Sequence, residues 1–150
     1  SFTGAFTVQE EVGTRGAFGA AFSVAPETAL VLETTTAADL PGVEGHRRVC
    51  APGRGPGISY MDGGTIYDRG LFEDLRRLAE DNGIPWQTKE YLSGGTNGRT
   101  YQRSRAGVRV TGLAIATRYL HAPTSVAAVA DLEGMLQLAR AFIGNIAEES

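Results

Sequence analysis

The stretch Phe6-Thr7-Val8-Gln9-Glu10-Glu11-Val12-Gly13 decides how this chain is read. Alternation of Phe6 and Val8 with polar residues predicts a strand. That strand finishes in two adjacent carboxylates, which repel each other unless positive charge stands beside them. Successive strand side chains point to opposite faces, so both carboxylates serve one site only where the strand ends. Val12-Gly13-Thr14 supplies the ending, because glycine turns most freely. Acidic groups at the carboxyl end of a strand in an α/β sheet lie where ligands usually bind. Taken alone, Glu10-Glu11 reads as a solvated acidic turn. The rest of the chain tips the balance toward a site.

Downstream, residues 14–23 form a short helix that Pro26 ends. Residues 28–34 are a nearly continuous apolar strand of the kind buried on both faces, closing on a third carboxylate, Glu33. Pro41, Pro52 and Pro56 break the loop over 35–57. Residues 58–61 form a short strand, followed by the Asp62-Gly63-Gly64 turn. The clearest helix covers 68–82, with Asp68 as its cap and Leu71, Phe72, Leu75, Leu78 and Ala79 as one apolar stripe. Residues 86–92 read as a strand, 93–98 as a sharp loop, 100–105 as a weak helix and 108–116 as a second buried strand. Asp131 is expected to cap a last helix whose core stripe is Leu132, Met135, Leu136, Ala139, Ile143 and Ile146. Strands alternating with helices predict an α/β fold with a mixed, largely parallel sheet flanked by helices.

Composition bounds the function. The 150 residues, 42% hydrophobic, suffice for one domain with a real core. The 14 basic and 17 acidic residues are interspersed and leave a net charge of −3, so nucleic acid is not an expected partner. The single cysteine, Cys50, excludes an internal disulfide framework and fits a reducing, cytoplasmic setting. No apolar run reaches membrane-spanning length and no signal peptide is visible, so no membrane association is expected. The start at Ser1, without methionine, suggests a processed product or a piece of something longer.

Three strand ends offer groups that bind metals: Glu10 with Glu11, Glu33, and His121 after the strand at 108–116. Carboxylate oxygens and an imidazole are what zinc or cobalt takes in a catalytic site. His46, alone in a loop, reads as an ordinary solvated histidine. His121 differs because it follows Thr117-Arg118-Tyr119-Leu120 just past a buried strand and precedes Ala122-Pro123. Spacing alone defines no metal motif here.

Several motifs in order carry more. Val8-Gln9-Glu10-Glu11-Val12-Gly13-Thr14-Arg15-Gly16-Ala17 resembles the signature of the tetrahedral-aminopeptidase and glutamyl-aminopeptidase family of dinuclear metallopeptidases, some of whose members are named endoglucanases. The same resemblance extends over Glu33-Thr34-Thr35-Thr36-Ala37-Ala38-Asp39-Leu40-Pro41-Gly42, Gly94-Gly95-Thr96, Ser104-Arg105-Ala106-Gly107-Val108 and Thr117-Arg118-Tyr119-Leu120-His121-Ala122-Pro123. It implies a zinc-aminopeptidase-like fold and a peptide substrate cut at its N-terminus. Glu10 would match the catalytic general base, Glu11 and His121 the ligands of one metal ion, and Glu33 the acidic ligand of the other. Gly94, Gly95, Thr96 and Asn97 would match the substrate-binding loop. Two divalent ions, zinc or cobalt, would bridge a water and lower its pKa toward about 7. Glu10 would then accept that water's proton and pass it to the leaving amine. Family members form dimers that build larger particles, so a homo-oligomer is implied.

The likeness also implies what residues 1–150 lack. The family's remaining ligands, a histidine in a His-x-Asp motif and a bridging aspartate, lie upstream of its Glu-Glu pair. Residues 1–150 would therefore be the C-terminal portion of the catalytic domain, with the N-terminal portion and an inserted β-domain absent. Asn97 stands where the family usually has aspartate. Arg99 and Arg103 add positive charge nearby: if this loop lines the substrate pocket they would favour acidic N-terminal residues, and otherwise they are surface arginines with no role in selectivity. A different class of function, a non-catalytic binding module descended from the same fold, stays open at this point. Phosphate binding by Gly53-Arg54-Gly55-Pro56-Gly57 or by the Gly94 loop is the weaker idea, since neither run carries the P-loop lysine.

Overall fold

The longest buried run in the chain, from Val110 to Thr117, makes the central strand of the sheet. The computed structural model describes residues 1–149. In order it contains helix α1 (Arg15–Val24), strand β1 (Thr28–Thr36), a 3-10 turn (Gly45–Arg47), β2 (Gly57–Ile58), α2 (Arg69–Asp81), β3 (Gln87–Thr88), α3 (Gly98–Gln102), β4 (Arg109–Arg118), β5 (Val126–Ala127) and α4 (Val129–Glu149). The five strands form one sheet in the order β1-β4-β2-β3, with β5 paired to the end of β4. The long β1–β4 ladder is parallel, as is β2–β3, whereas β2 and β5 meet β4 antiparallel. The sheet is thus mixed and mostly parallel, as expected.

Alternation along β4 assigns the two faces. Leu113 joins Ile58, Leu71, Phe72, Leu75, Leu138 and Phe142 in the main core, so α2 and α4 cover that side. Val110 packs with Val31, Tyr67 and Val108 in a smaller cluster that Tyr101 of α3 borders. Glu33 pairs in register with Ala114, two positions beyond Val31 and Gly112, and so shares the second face. Helix α2 forms as its pattern predicts: Asp68 Oδ1 accepts the Leu71 N–H at 3.0 Å, and all five stripe residues are buried.

Five expectations need correction. Residues 6–8 form no strand among the described residues, because their neighbours' carbonyls are engaged locally. Val8 O accepts from Gly16, Gln9 O from Arg15, and Glu10 O from both Gly13 and Thr14. Phe6 and Val8 stay exposed. Strand β1 runs on to Thr36 and is not buried on both faces: Leu32 is 51% exposed, since β1 is the sheet's edge and α2 and α4 do not reach that far. The strand expected over 86–92 shrinks to Gln87–Thr88, because the Glu90 N–H turns away to Val49 O. The strand at 58–61 shrinks likewise to Gly57–Ile58, with Met61 only bridging to Ile66.

The last correction concerns α4. It starts before Asp131, whose carboxylate does not cap it. Asp131 is buried and instead accepts N–H bonds from Gly53 and Gly55, each at 2.8 Å. Of the expected stripe, Ala139 is buried and Met135 and Ile146 pack against the core. Leu138, Ala139 and Phe142 are buried, while Leu132 and Leu136 face water. Helix α3 is shifted more mildly, beginning at Gly98 rather than at Thr100.

Candidate active site

The Glu10-Glu11 turn is held from both ends. Gln9 and Thr14 both adopt left-handed backbone, at φ 59° and 54°, and Gly13 lies at φ 109°. Such conformations in non-glycine residues mark a turn that its surroundings over-determine. The bonds from residues 13–16 back to Val8, Gln9 and Glu10 are those surroundings, together with a buried Thr14. The Thr14 hydroxyl donates to Gly13 O at 2.8 Å or pairs with Thr100 Oγ1 at 2.5 Å, tying the turn to α3. Glu10 is left half-buried and Glu11 exposed.

Strand β1 delivers Glu33 to the same region. Burial raises its carboxyl from the ordinary 4.5 to about 7, and the nearby Glu10, Glu11 and Asp62 carboxylates push the same way. The Asn97 backbone N–H, donated to Glu33, offsets part of that rise. Four acidic side chains therefore share one neighbourhood. His121 comes from the turn after β4, where Tyr119 and His121 itself also have positive φ, 61° and 64°. Its Nε2 lies 3.8 Å from Glu11 Oε1, with both side chains exposed. Glu10, Glu11 and Glu33 lie near one another and His121 approaches Glu11, although Glu10, Glu11 and Glu33 do not end paired strands.

The loop at 94–97 closes the region. The Gly63 N–H donates to Gly94 O at 2.8 Å. A Cβ at Gly63 would sit 2.6 Å from that same oxygen, so only glycine permits the approach. Thr96 Oγ1 lies 2.9 Å from the Tyr67 phenol oxygen and accepts the Gly98 N–H at 3.0 Å. Asn97 donates through Nδ2 to Thr7 Oγ1 at 3.1 Å, which brings the loop against the segment before the Glu-Glu turn. Its Oδ1 is buried with no hydrogen-bond partner among the described residues.

Asp62 and Tyr67 escaped the sequence reading. Asp62 is buried, and its carboxylate accepts from the Gly64 and Thr65 N–H groups and from the Tyr67 phenol. The available signal was an aspartate inside an apolar strand-to-turn passage, where a buried charge needs several donors. His46 behaves as the ordinary loop histidine it resembles, exposed and 3.3 Å from Glu44.

The donor chemistry suits a divalent cation. Carboxylates and an imidazole are zinc-type ligands, Glu11 and His121 are close enough to reach one ion, and a cation would relieve the crowding around Glu33. Among the described residues, no three His, Cys, Asp or Glu side chains form a closed metal-binding group. No helix among them is long and apolar enough to cross a membrane.

Comparison with known proteins follows the same line. The profile of the family described as M42 glutamyl aminopeptidase matches residues 1–138. FrvX of Escherichia coli (strain K12) is 34% identical over 146 residues, 97% of this chain and 41% of its own length. Aminopeptidase APDkam598 from the archaeon Desulfurococcus kamchatkensis superposes with a TM-score of 0.88 at 37% identity, over 91% of this chain and 39% of its own. The TET1 peptidase of Pyrococcus horikoshii, which can assemble into a tetrahedron or a large octahedral shell, superposes at 0.70 with 31% identity, over 91% and 38% respectively. The chain spans about two-fifths of the length of these relatives.

Proposed function

Because this chain belongs to the M42 glutamyl aminopeptidase family, we propose that it supplies part of the active site of a metal-dependent aminopeptidase, one that removes N-terminal residues from peptides. The approach of His121 to Glu11 beside the crowded Glu33 carboxyl carries this reading. In it, Glu11 and His121 would hold one divalent ion, zinc or cobalt, and Glu33 a second, and such ions would supply polarisation of the peptide carbonyl and acidification of water. Glu10 stays outside that ligand set. Half-buried beside it, Glu10 takes the proton from the attacking water and passes it to the leaving amine.

The chain's other residues orient the peptide. Gly94 and Gly95 leave the loop without side chains, so a peptide backbone can lie against it. Thr96 and Asn97, pinned by Tyr67 and Thr7, hold that surface in place. A homo-oligomer is part of the proposal, by analogy with the shell-forming TET1 peptidase. A cytoplasmic setting suits the single buried thiol of Cys50.

The test combines metal content with hydrolysis. The chain is loaded with zinc or cobalt, its metal is measured by elemental analysis, and cleavage of Glu-, Leu- and Lys-p-nitroanilides is followed. Glu10→Gln should keep the metal and lose hydrolysis by about 100-fold or more. Glu11→Ala combined with His121→Ala should lose one ion. Full hydrolysis by Glu10→Gln, or unchanged metal content in the double variant, would refute the assignment. A second reading is a peptide-binding module of the same fold, since among the described residues no three His, Cys, Asp or Glu side chains form a metal-binding group. Peptide binding with no cleavage by the metal-loaded chain would select it.

A further inference from the structure

Helix α4 buries one face and leaves the opposite one uncovered. Asp131, Gly134, Leu138, Ala139 and Phe142 point inward and are buried. On the other side, at steps of three and four residues, stand Val129, Leu132, Glu133, Leu136, Arg140 and Gly144, all exposed. Val129 is 70% exposed, and Leu132 and Leu136 are 52% each. One such side chain at a surface needs no account, but a stripe of them along one helix face does.

Other residues of that face have no use within the chain. Gly144 costs the helix about 1 kcal/mol relative to alanine, yet a Cβ there would meet nothing within 4 Å. Gly134 of the same helix is different: its Cβ would lie 3.1 Å from Pro56 Cδ, so close packing explains it. Glu133 and Arg140 carry opposite charges about two turns apart, too far to reach one another. Neither has an ion-pair partner among the described residues.

A second copy of α4 gives all of them a use. When two identical helices pack antiparallel about a two-fold axis, each contact occurs twice, residue i on j and j on i. With the axis between Leu136 and Gln137, Glu133 faces Arg140 of the second copy, and Arg140 faces its Glu133. One register therefore makes two pairs of opposite charge. The same register sets Val129 against Gly144 of the second copy, where a bare backbone lets the helices approach. Leu136 then meets its own copy near the axis. A parallel pair would instead place Glu133 on Glu133 and Arg140 on Arg140, which repel.

We propose that the exposed face of α4 is a contact between two copies of this chain, packed antiparallel about that axis. It rests on the homo-oligomer part of the peptidase reading and supplies a surface for it, without drawing on the metal chemistry. From Val129 to Gly144 the face is about 22 Å long and about 10 Å wide. That is well below the roughly 800 Å² per partner of a standard interface, so the pair is weak and depends on concentration.

Sedimentation equilibrium of the 150-residue chain from about 10 µM to about 1 mM tests it. The unaltered chain should pass from monomer toward dimer across that range. Glu133→Lys and Arg140→Glu each turn both pairs into repulsions and should weaken the dimer about tenfold or more. The double reversal restores both pairs and should return the dissociation constant to within about threefold of the original. Gly144→Gln, a better helix former with a long side chain, should raise the melting temperature of the dilute chain and weaken the dimer. All three positions are exposed, and circular dichroism of the dilute variants reports that the fold is kept. A chain that stays monomeric at about 1 mM overturns the proposal. So does a dimer that neither single reversal weakens, or one that the double reversal fails to restore; the homo-oligomer then stands with its contact elsewhere, for example at the exposed Phe6 and Phe18. Metal content and cleavage are measured separately, so failure of the α4 contact leaves the peptidase reading untouched. Loss of that reading likewise leaves the charge-reversal result standing.

Discussion

Tyr67 donates its phenol hydrogen to Asp62 Oδ2 at 2.7 Å, joining the second core cluster to the candidate site. Asp62 Oδ1 is already engaged by the Gly64 and Thr65 N–H groups at 2.7 and 2.8 Å, so the buried carboxylate is satisfied on both oxygens. Burial, and then the neighbouring Asp62 carboxylate, hold the phenol far above its ordinary pKa. Tyr67 is therefore a donor throughout the physiological range.

Tyr67→Phe removes one hydrogen bond to a buried charge and should cost about 1.5–3 kcal/mol. It should also free Thr96 from the phenol and speed amide exchange over residues 94–97. Urea unfolding gives the first quantity and hydrogen exchange the second. A loss below about 0.5 kcal/mol with unchanged exchange would show that the pair anchors nothing.

Glu33 makes stability depend on pH. Its folded-state pKa of about 7 stands above the ordinary 4.5, so the native chain binds this proton more tightly than the unfolded one. The contribution is complete below pH 4.5 and disappears as the pH rises through about 7. Because the side chain is only half-buried, solvent screening reduces the loss to about 1–2 kcal/mol. Urea midpoints at pH 5 and pH 8 measure it, and Glu33→Gln should flatten the difference. The same slope in both proteins would place the effect elsewhere.

Local rules found the elements that satisfy themselves locally. Helix α2 carries its own cap in Asp68 and its own stripe, and β4 is apolar enough to be central in any sheet. Where an outcome depends on a distant partner, the same rules misplace it. Residues 6–8 alternate like a strand, yet Val8 O goes to Gly16. Asp131 sits where a cap is expected, yet its carboxylate is used by Gly53 and Gly55. On the same helix Leu132 and Leu136 face water while Met135, Ala139 and Ile146 pack inward. The closeness of Glu11 and His121 was legible only through the order of motifs, since no periodicity links the two ends of the chain. Asp62 and Tyr67 stayed hidden because neither a turn aspartate nor a tyrosine ahead of a helix announces a buried pair.

Asp131 should be among the most sensitive positions. It is buried at the start of α4 and accepts two backbone N–H bonds from the loop that leads into β2. Asp131→Ala strands both donors and should cost about 2–4 kcal/mol. Asp131→Asn keeps one acceptor but turns an amide NH₂ toward the other donor, so it should recover less than half of that. Denaturant midpoints for the two variants decide the matter. Full rescue by asparagine would mean that the charge and second acceptor are dispensable.

Gly16 and Gly19 stand in one helix and should answer oppositely to one substitution. A Cβ at Gly19 meets nothing within 4 Å, and alanine is the better helix former by about 0.8–1 kcal/mol. Gly19→Ala should therefore stabilise by about 0.5–1 kcal/mol. A Cβ at Gly16 would lie 2.6 Å from both the backbone nitrogen and the oxygen of Val8, atoms that cannot rotate away. The Gly16 N–H also donates to that Val8 oxygen at 3.0 Å, so relief of the clash breaks a bond. Gly16→Ala should lose about 1–3 kcal/mol despite its better propensity. Because the displaced segment leads directly into Glu10 and Glu11, zinc affinity should fall in this variant and stay unchanged in Gly19→Ala. Thermal unfolding and a zinc titration on both proteins test the pair. If Gly16→Ala gains stability as Gly19→Ala does, α1 does not hold the Glu10-Glu11 turn.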